Sequence, residues 1–129
     1  MSDTPDVGDF CWNELATTNV KAAKEFYSKA FGWEFSDHDM DGKTYSMIKH
    51  KDKEFAGIWE IPKDQSAHTP PHWMSYITVK NLAESLEKVK KLGATVKAPI
   101  TQAGDFGQFA IITDPTGANI ALWEALKTC

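Results

Sequence analysis

The sequence predicts an α+β fold: two βαβββ modules whose eight strands form a cup-shaped mixed sheet flanked by two helices. Three observations predict it. One plan, a strand, a helix and three further strands, runs twice along 129 residues. A polar stretch marked by prolines, residues 62–71, separates the two runs. A unit of about 60 residues with one helix leaves one sheet face without a partner, so two such units are expected to pair around a cleft.

The elements follow from local pattern. Phe10 to Ala16 reads as a strand, and Thr17-Thr18-Asn19 caps a helix in which Val20, Ala23, Phe26, Tyr27, Ala30 and Phe31 recur at helical spacing before Gly32. Trp33 to His38, Thr44 to Lys49 and Phe55 to Ile61 complete module 1, about residues 8–61. Module 2, about residues 72–126, opens with the aromatic and β-branched run Trp73 to Val79. Asn81 then caps a helix with Glu84 three residues on; Leu82, Leu86, Val89 and Leu92 form its apolar face and Gly93 ends it. Thr95 to Ile100, Phe106 to Thr113 and Asn119 to Ala125 are its last strands. The two caps, Asn19 and Asn81, lie 62 positions apart.

Composition excludes several functions. Apolar residues make up 42% and charged residues 25%, the balance of a globular domain rather than a disordered chain. The net charge of -4 is spread along the chain, so no basic stripe for nucleic acid exists. No apolar run approaches the roughly 20 residues of a membrane span, and the first ten residues lack a signal-peptide pattern. A cytoplasmic location is expected. Cys11 and Cys129 lack the spacing of a disulfide framework or a zinc site; Cys11 reads as a small buried thiol and Cys129 as an exposed terminus.

Lys24-Glu25-Phe26-Tyr27 with Phe31-Gly32-Trp33, then Leu92-Gly93-Ala94, Phe106-Gly107 and Asp114-Pro115-Thr116-Gly117-Ala118-Asn119 carry a resemblance. Together they resemble the vicinal oxygen chelate superfamily, the glyoxalase, bleomycin resistance and dioxygenase group, over nearly the whole chain. The resemblance implies a homodimer and a divalent metal, nickel or zinc in members of the glyoxalase I type. It places the metal ligands at Trp12, at or beside Trp59, at Met74 and at Ala121. Indole, thioether and methyl groups do not hold such an ion. The usual metal site is therefore expected to be missing, and no cofactor is expected there. A replacement site would draw on Glu14, His72 and Glu60, the last only if the strand register slips by one residue.

Strand parity instead gathers Trp12, Trp59, Met74, Tyr76 and Trp123 toward the cleft as an aromatic wall suited to a flat or cationic small molecule. Glu14 shares the parity of Trp12. A carboxylate among aromatics needs a donor or a cationic ligand, which makes Glu14 the candidate polar contact or general base. The expected function is metal-independent binding of a small organic molecule. The alternatives are a metal-dependent lyase of the lactoylglutathione lyase type and a non-catalytic dimeric interaction module. The remaining polar clusters read as structure: residues 37–42 as a hairpin turn, residues 49–53 as a solvated turn, residues 104–107 as a loop, and Glu87 with Lys91 as an i,i+4 pair.

Overall fold

The computed structural model describes residues 6–40, 43–66 and 68–125. Asp41 and Gly42, in the expected turn, and the terminal Cys129 lie outside them. Eight strands of mixed direction and two helices occur in the order expected: β1 (Phe10–Thr17), α1 (Val20–Phe31), β2 (Glu34–Met40), β3 (Lys43–His50), β4 (Lys53–Glu60), β5 (His72–Thr78), α2 (Leu82–Lys91), β6 (Thr95–Ala103), β7 (Gly107–Thr113) and β8 (Asn119–Ala125). The chain divides into two compact units: Trp12–Met74, and the chain up to Cys11 together with Ser75 onward.

In the Trp12–Met74 unit the strand order is β2-β3-β4-β1. β2, β3 and β4 run antiparallel, and β1 lies parallel to β4 with Glu14 opposite Gly57 and Ala16 opposite Trp59. Asn19 starts α1 because its side-chain oxygen accepts the Ala22 N–H at 3.0 Å; Gly32 ends it at φ 76°, in the left-handed region glycine adopts without strain. One face of this sheet meets α1. Leu15, Ile48, Ala56 and Ile58 are buried there under Val20, Ala23 and Tyr27. Lys24 ties the helix to β2 through Asp37 at 2.7 Å, and the buried Ser46 hydroxyl donates to the same carboxylate at 2.6 Å.

The second unit has the order β5-β8-β7-β6, with β5 parallel to β8 and the rest antiparallel. Its core is Leu82 and Leu86 of α2 against Ala110, Ile112 and Leu122 of the sheet. Asn81 accepts the Glu84 N–H, while the Glu124 carboxylate of β8 accepts the Leu82 N–H at 2.7 Å and a Gln108 amide N–H at 3.1 Å. A carboxylate at the start of a helix is favoured by the helix dipole, and here it also pins α2 to its sheet.

Four expectations need correction. Asp37, His38 and Asp39 lie within β2 rather than in a turn, because each pairs across the ladder with β3, at Ser46, Tyr45 and Thr44. Phe26 and Phe31 are 59% and 57% exposed, and α1 has no buried residue. Five positions at about 100° each set these two rings roughly 140° apart, one on either margin of the stripe that faces the sheet. Leu92 is 67% exposed because it is the C-cap of α2, past its last turn. Glu87 pairs with Lys90 at 2.9 Å, one position short of Lys91. The hairpin of β3 and β4 turns at Lys51 and Asp52, both at positive φ, 52° and 64°.

Two outcomes follow for stability. Ile58→Ala empties a fully buried site and lowers the unfolding free energy by roughly 2–5 kcal/mol in chemical denaturation. Asp52→Gly relieves the left-handed strain at the hairpin and raises it by about 0.5–1 kcal/mol; an unchanged midpoint contradicts the strain account.

Candidate functional site

Alternation along each strand sends the residues that do not meet α1 to the opposite face of the Trp12–Met74 sheet. The ladder sets His38, Tyr45, Trp59 and Ala16 in one row, and Ser36, Met47, Gly57 and Glu14 in the next. Trp12, two residues before Glu14, shares that face. Glu60 pairs with Thr17 and takes the opposite parity to Trp59, so it does not join Glu14.

Tyr45 is the centre of this face. Its hydroxyl donates to Glu14 Oε2 at 2.7 Å and accepts the Trp12 indole N–H at 2.9 Å. The side chain lies across Gly57, where a Cβ would run into the phenol oxygen and ring. Glycine is required there for room rather than for backbone freedom. Burial, then the negative charge of Glu14 and the bond to it, push the Tyr45 hydroxyl well above the usual phenol range, against a smaller opposing effect of the Trp12 N–H. Tyr45 therefore stays a donor at every physiological pH, and the carboxylate of Glu14 is held by a short, charge-assisted bond. The sequence reading found Trp12 and Glu14 but not the tyrosine that joins them. Its available signal was Tyr45 with Gly57 on neighbouring strands, which acquires meaning only once the register is known.

The second unit has a comparable face. Tyr76 stands opposite Ala121, and Trp123 two positions on shares that side of β8. Tyr76 meets Phe109 edge-on at 6.0 Å between ring centroids, and Trp123 covers Gly107, where a Cβ would meet its indole at 2.7 Å. Phe109 was not foreseen. Trp12, Trp59 and Trp123 are half-buried and present ring surface, whereas Met74 and Tyr76 are 8% and 5% exposed. His72 holds the Pro70 carbonyl through Nδ1 at 2.8 Å at the entry of β5, which is a structural contact. The Cys11 thiol donates to the Tyr76 carbonyl at 3.5 Å, and burial raises its pKa, so it is a poor nucleophile.

The positions that the resemblance assigns to a metal do not fit one. The Trp12 nitrogen is a donor already engaged with Tyr45, Trp59 offers a second indole, Met74 a thioether and Ala121 a buried methyl. Among the described residues no three His, Cys, Asp or Glu side chains gather as a metal-binding group. Two surface concavities lie elsewhere. One of about 360 Å³ is lined by Val7, Thr78, Asn81, Ser85 and Lys88, and one of about 450 Å³ by Leu86, Val96, Pro99 and Ile100. Neither contains a residue of the aromatic faces.

Gly57→Ala expels the Tyr45 ring and frees the Trp12 N–H. The expected readout is a shift of the Trp12 indole N–H resonance, reproduced by Tyr45→Phe; an unmoved resonance in Tyr45→Phe contradicts the bond.

Residues 10–122 match the profile of the Glyoxalase/Bleomycin resistance protein/Dioxygenase superfamily. The chain is 38% identical over 116 residues to "Putative glyoxylase CFP32" of Mycobacterium tuberculosis (strain CDC 1551 / Oshkosh), covering 88% of this chain and 44% of that protein. It is 24% identical over 126 residues to the anthracycline biosynthesis protein DauV of Streptomyces sp. (strain C5), covering 88% of this chain and 46% of that protein. The chain thus spans under half the length of these relatives. Among solved structures, a hypothetical protein of Bacillus halodurans C-125 superposes with a TM-score of 0.73 at 14% identity, covering 96% of this chain and 99% of that one. Methylmalonyl-CoA epimerase from Mycobacterium tuberculosis superposes with a TM-score of 0.66 at 17% identity, covering 98% and 94%. The shared fold, the strand and helix order and the profile match over most of the sequence place this chain in the glyoxalase/bleomycin resistance protein/dioxygenase superfamily.

Proposed function

We propose that this chain is a metal-independent binding protein for a flat organic molecule, held on the aromatic face of the Trp12–Met74 sheet with Glu14 as the polar contact. The observation that supports the reading most is the Trp12–Tyr45–Glu14 chain of hydrogen bonds. It includes Trp12, a position that the resemblance assigns to a metal ligand, and it fixes a carboxylate on the sheet face that also carries Trp59. Indole faces stack on planar or cationic molecules, and a fixed carboxylate selects a donor or a positive charge. Trp12 and Trp59 form the walls in one unit, in which Met74 is also buried. Tyr76 and Trp123, with Phe109, form the aromatic surface of the other. That DauV is described as an anthracycline biosynthesis protein is in keeping with a flat polycyclic ligand.

A second reading, a glyoxalase I-like lyase, draws on the description of the mycobacterial relative. There Glu14 would take a proton from a carbon and return it to the neighbouring one, with Tyr45 orienting the carboxylate.

Titrating the tryptophan fluorescence with an anthracycline tests the first reading. Saturable quenching is expected, weakened at least tenfold, or about 1.4 kcal/mol, in Trp12→Ala and in Glu14→Gln. Quenching that both variants leave unchanged contradicts it. Turnover of an α-oxoaldehyde–thiol adduct that is lost in Glu14→Ala would favour the lyase.

A further inference from the structure

The sheet face that carries Glu14 has a second polar end, on β2. Ser36 and His38 share that face by alternation, and their side chains meet, Ser36 Oγ to His38 Nε2 at 3.0 Å. In the order β2-β3-β4-β1 this pair stands three strand spacings from Glu14, about 14 Å. The middle is apolar. The Tyr45 ring lies across Gly57, with Trp59 opposite Tyr45 and Met47 opposite Gly57 on the ladder. His38 is exposed and Ser36 half-buried, so a molecule lying on the face reaches both.

The two ends have opposite chemistry. The Glu14 carboxylate accepts, whereas the Ser36–His38 pair presents a donor in either tautomer. If the hydroxyl donates to Nε2, the ring proton is on Nδ1; if the Nε2–H donates to the hydroxyl oxygen, the hydroxyl keeps a proton not used within the pair. Charge runs the same way. Lys43 lies diagonal to His38 across the β2–β3 ladder, on the same face as Tyr45. Glu34, the next charged group of β2 on this face, stands opposite Lys49, which offsets it, and the Asp37 carboxylate is held by Lys24 on the other face. We infer that Ser36 and His38, with Lys43, form the anion-binding end of the ligand site. The ligand is then a flat zwitterion, with a cationic group for Glu14 and a carboxylate or similar oxygen anion at its far end. This inference rests on the binding reading above and names the chemical class which that site takes.

Two planar probes, titrated by calorimetry, test it: 2-(aminomethyl)fluorene, which has the cationic end alone, and 7-(aminomethyl)fluorene-2-carboxylate, which has both. The carboxylate probe is expected to bind the wild-type chain at least tenfold more tightly than the amine. His38→Ala and Lys43→Ala each reduce that preference about threefold, with unchanged circular dichroism and unchanged affinity for the amine. Glu14→Gln weakens both probes. Equal affinity for the two probes, or a preference that both variants leave intact, would overturn the inference and leave the binding reading standing. So would failure of both probes to bind a chain whose fluorescence an anthracycline still quenches. Loss of all three kinds of binding would overturn the inference and the binding reading together.

Discussion

One helix covers one face of a four-stranded sheet, and each unit therefore carries two kinds of residue on every strand. Leu15, Ile48, Ala56 and Ile58 meet α1; Trp12, Glu14, Tyr45 and Trp59 alternate with them along the same strands. The first set stabilises the unit by apolar burial. The second lies on the opposite face, and its chemistry is aromatic with a carboxylate held by the Tyr45 hydroxyl. Gly57 links the two sets: it sits between Ala56 and Ile58 in the core strand and makes room for Tyr45 on the other side.

Much of the fold was legible in the sequence because its signals are local. Asn19, Asn81 and Gly32 announce helix ends through backbone hydrogen bonds and left-handed φ that only a few residue types provide. The half-chain repeat follows from these caps. Periodicity alone overreached at Phe26, Phe31 and Leu92, since a helical pattern marks an apolar arc without saying how much of it a narrow sheet can cover. At residues 37–39 acidic and imidazole side chains suggested a turn, yet Asp37 is satisfied by Lys24 and Ser46 and stays in the strand. Those two donors also hold its carboxyl below the usual range.

The candidate site was half legible. Trp12, Glu14 and Trp59 share a face by parity, which counting along one strand reveals. Tyr45 comes from a strand about 30 positions away, and its place beside Glu14 depends on two ladders, β3 with β4 and β4 with β1. No local pattern encodes that. The register also separates Glu60 from Glu14, which removes one carboxylate from any replacement metal site.

We propose that Trp12, Tyr45 and Glu14 form an organic-ligand site at the strand position to which the resemblance assigns a metal ligand. The direct measurement is divalent metal per chain by elemental analysis, on untagged protein equilibrated with nickel or zinc and then dialysed extensively. The account predicts no metal retained in proportion to the chain, in the wild type or in Tyr45→Phe. One metal per chain, lost in Glu14→Ala, would contradict it.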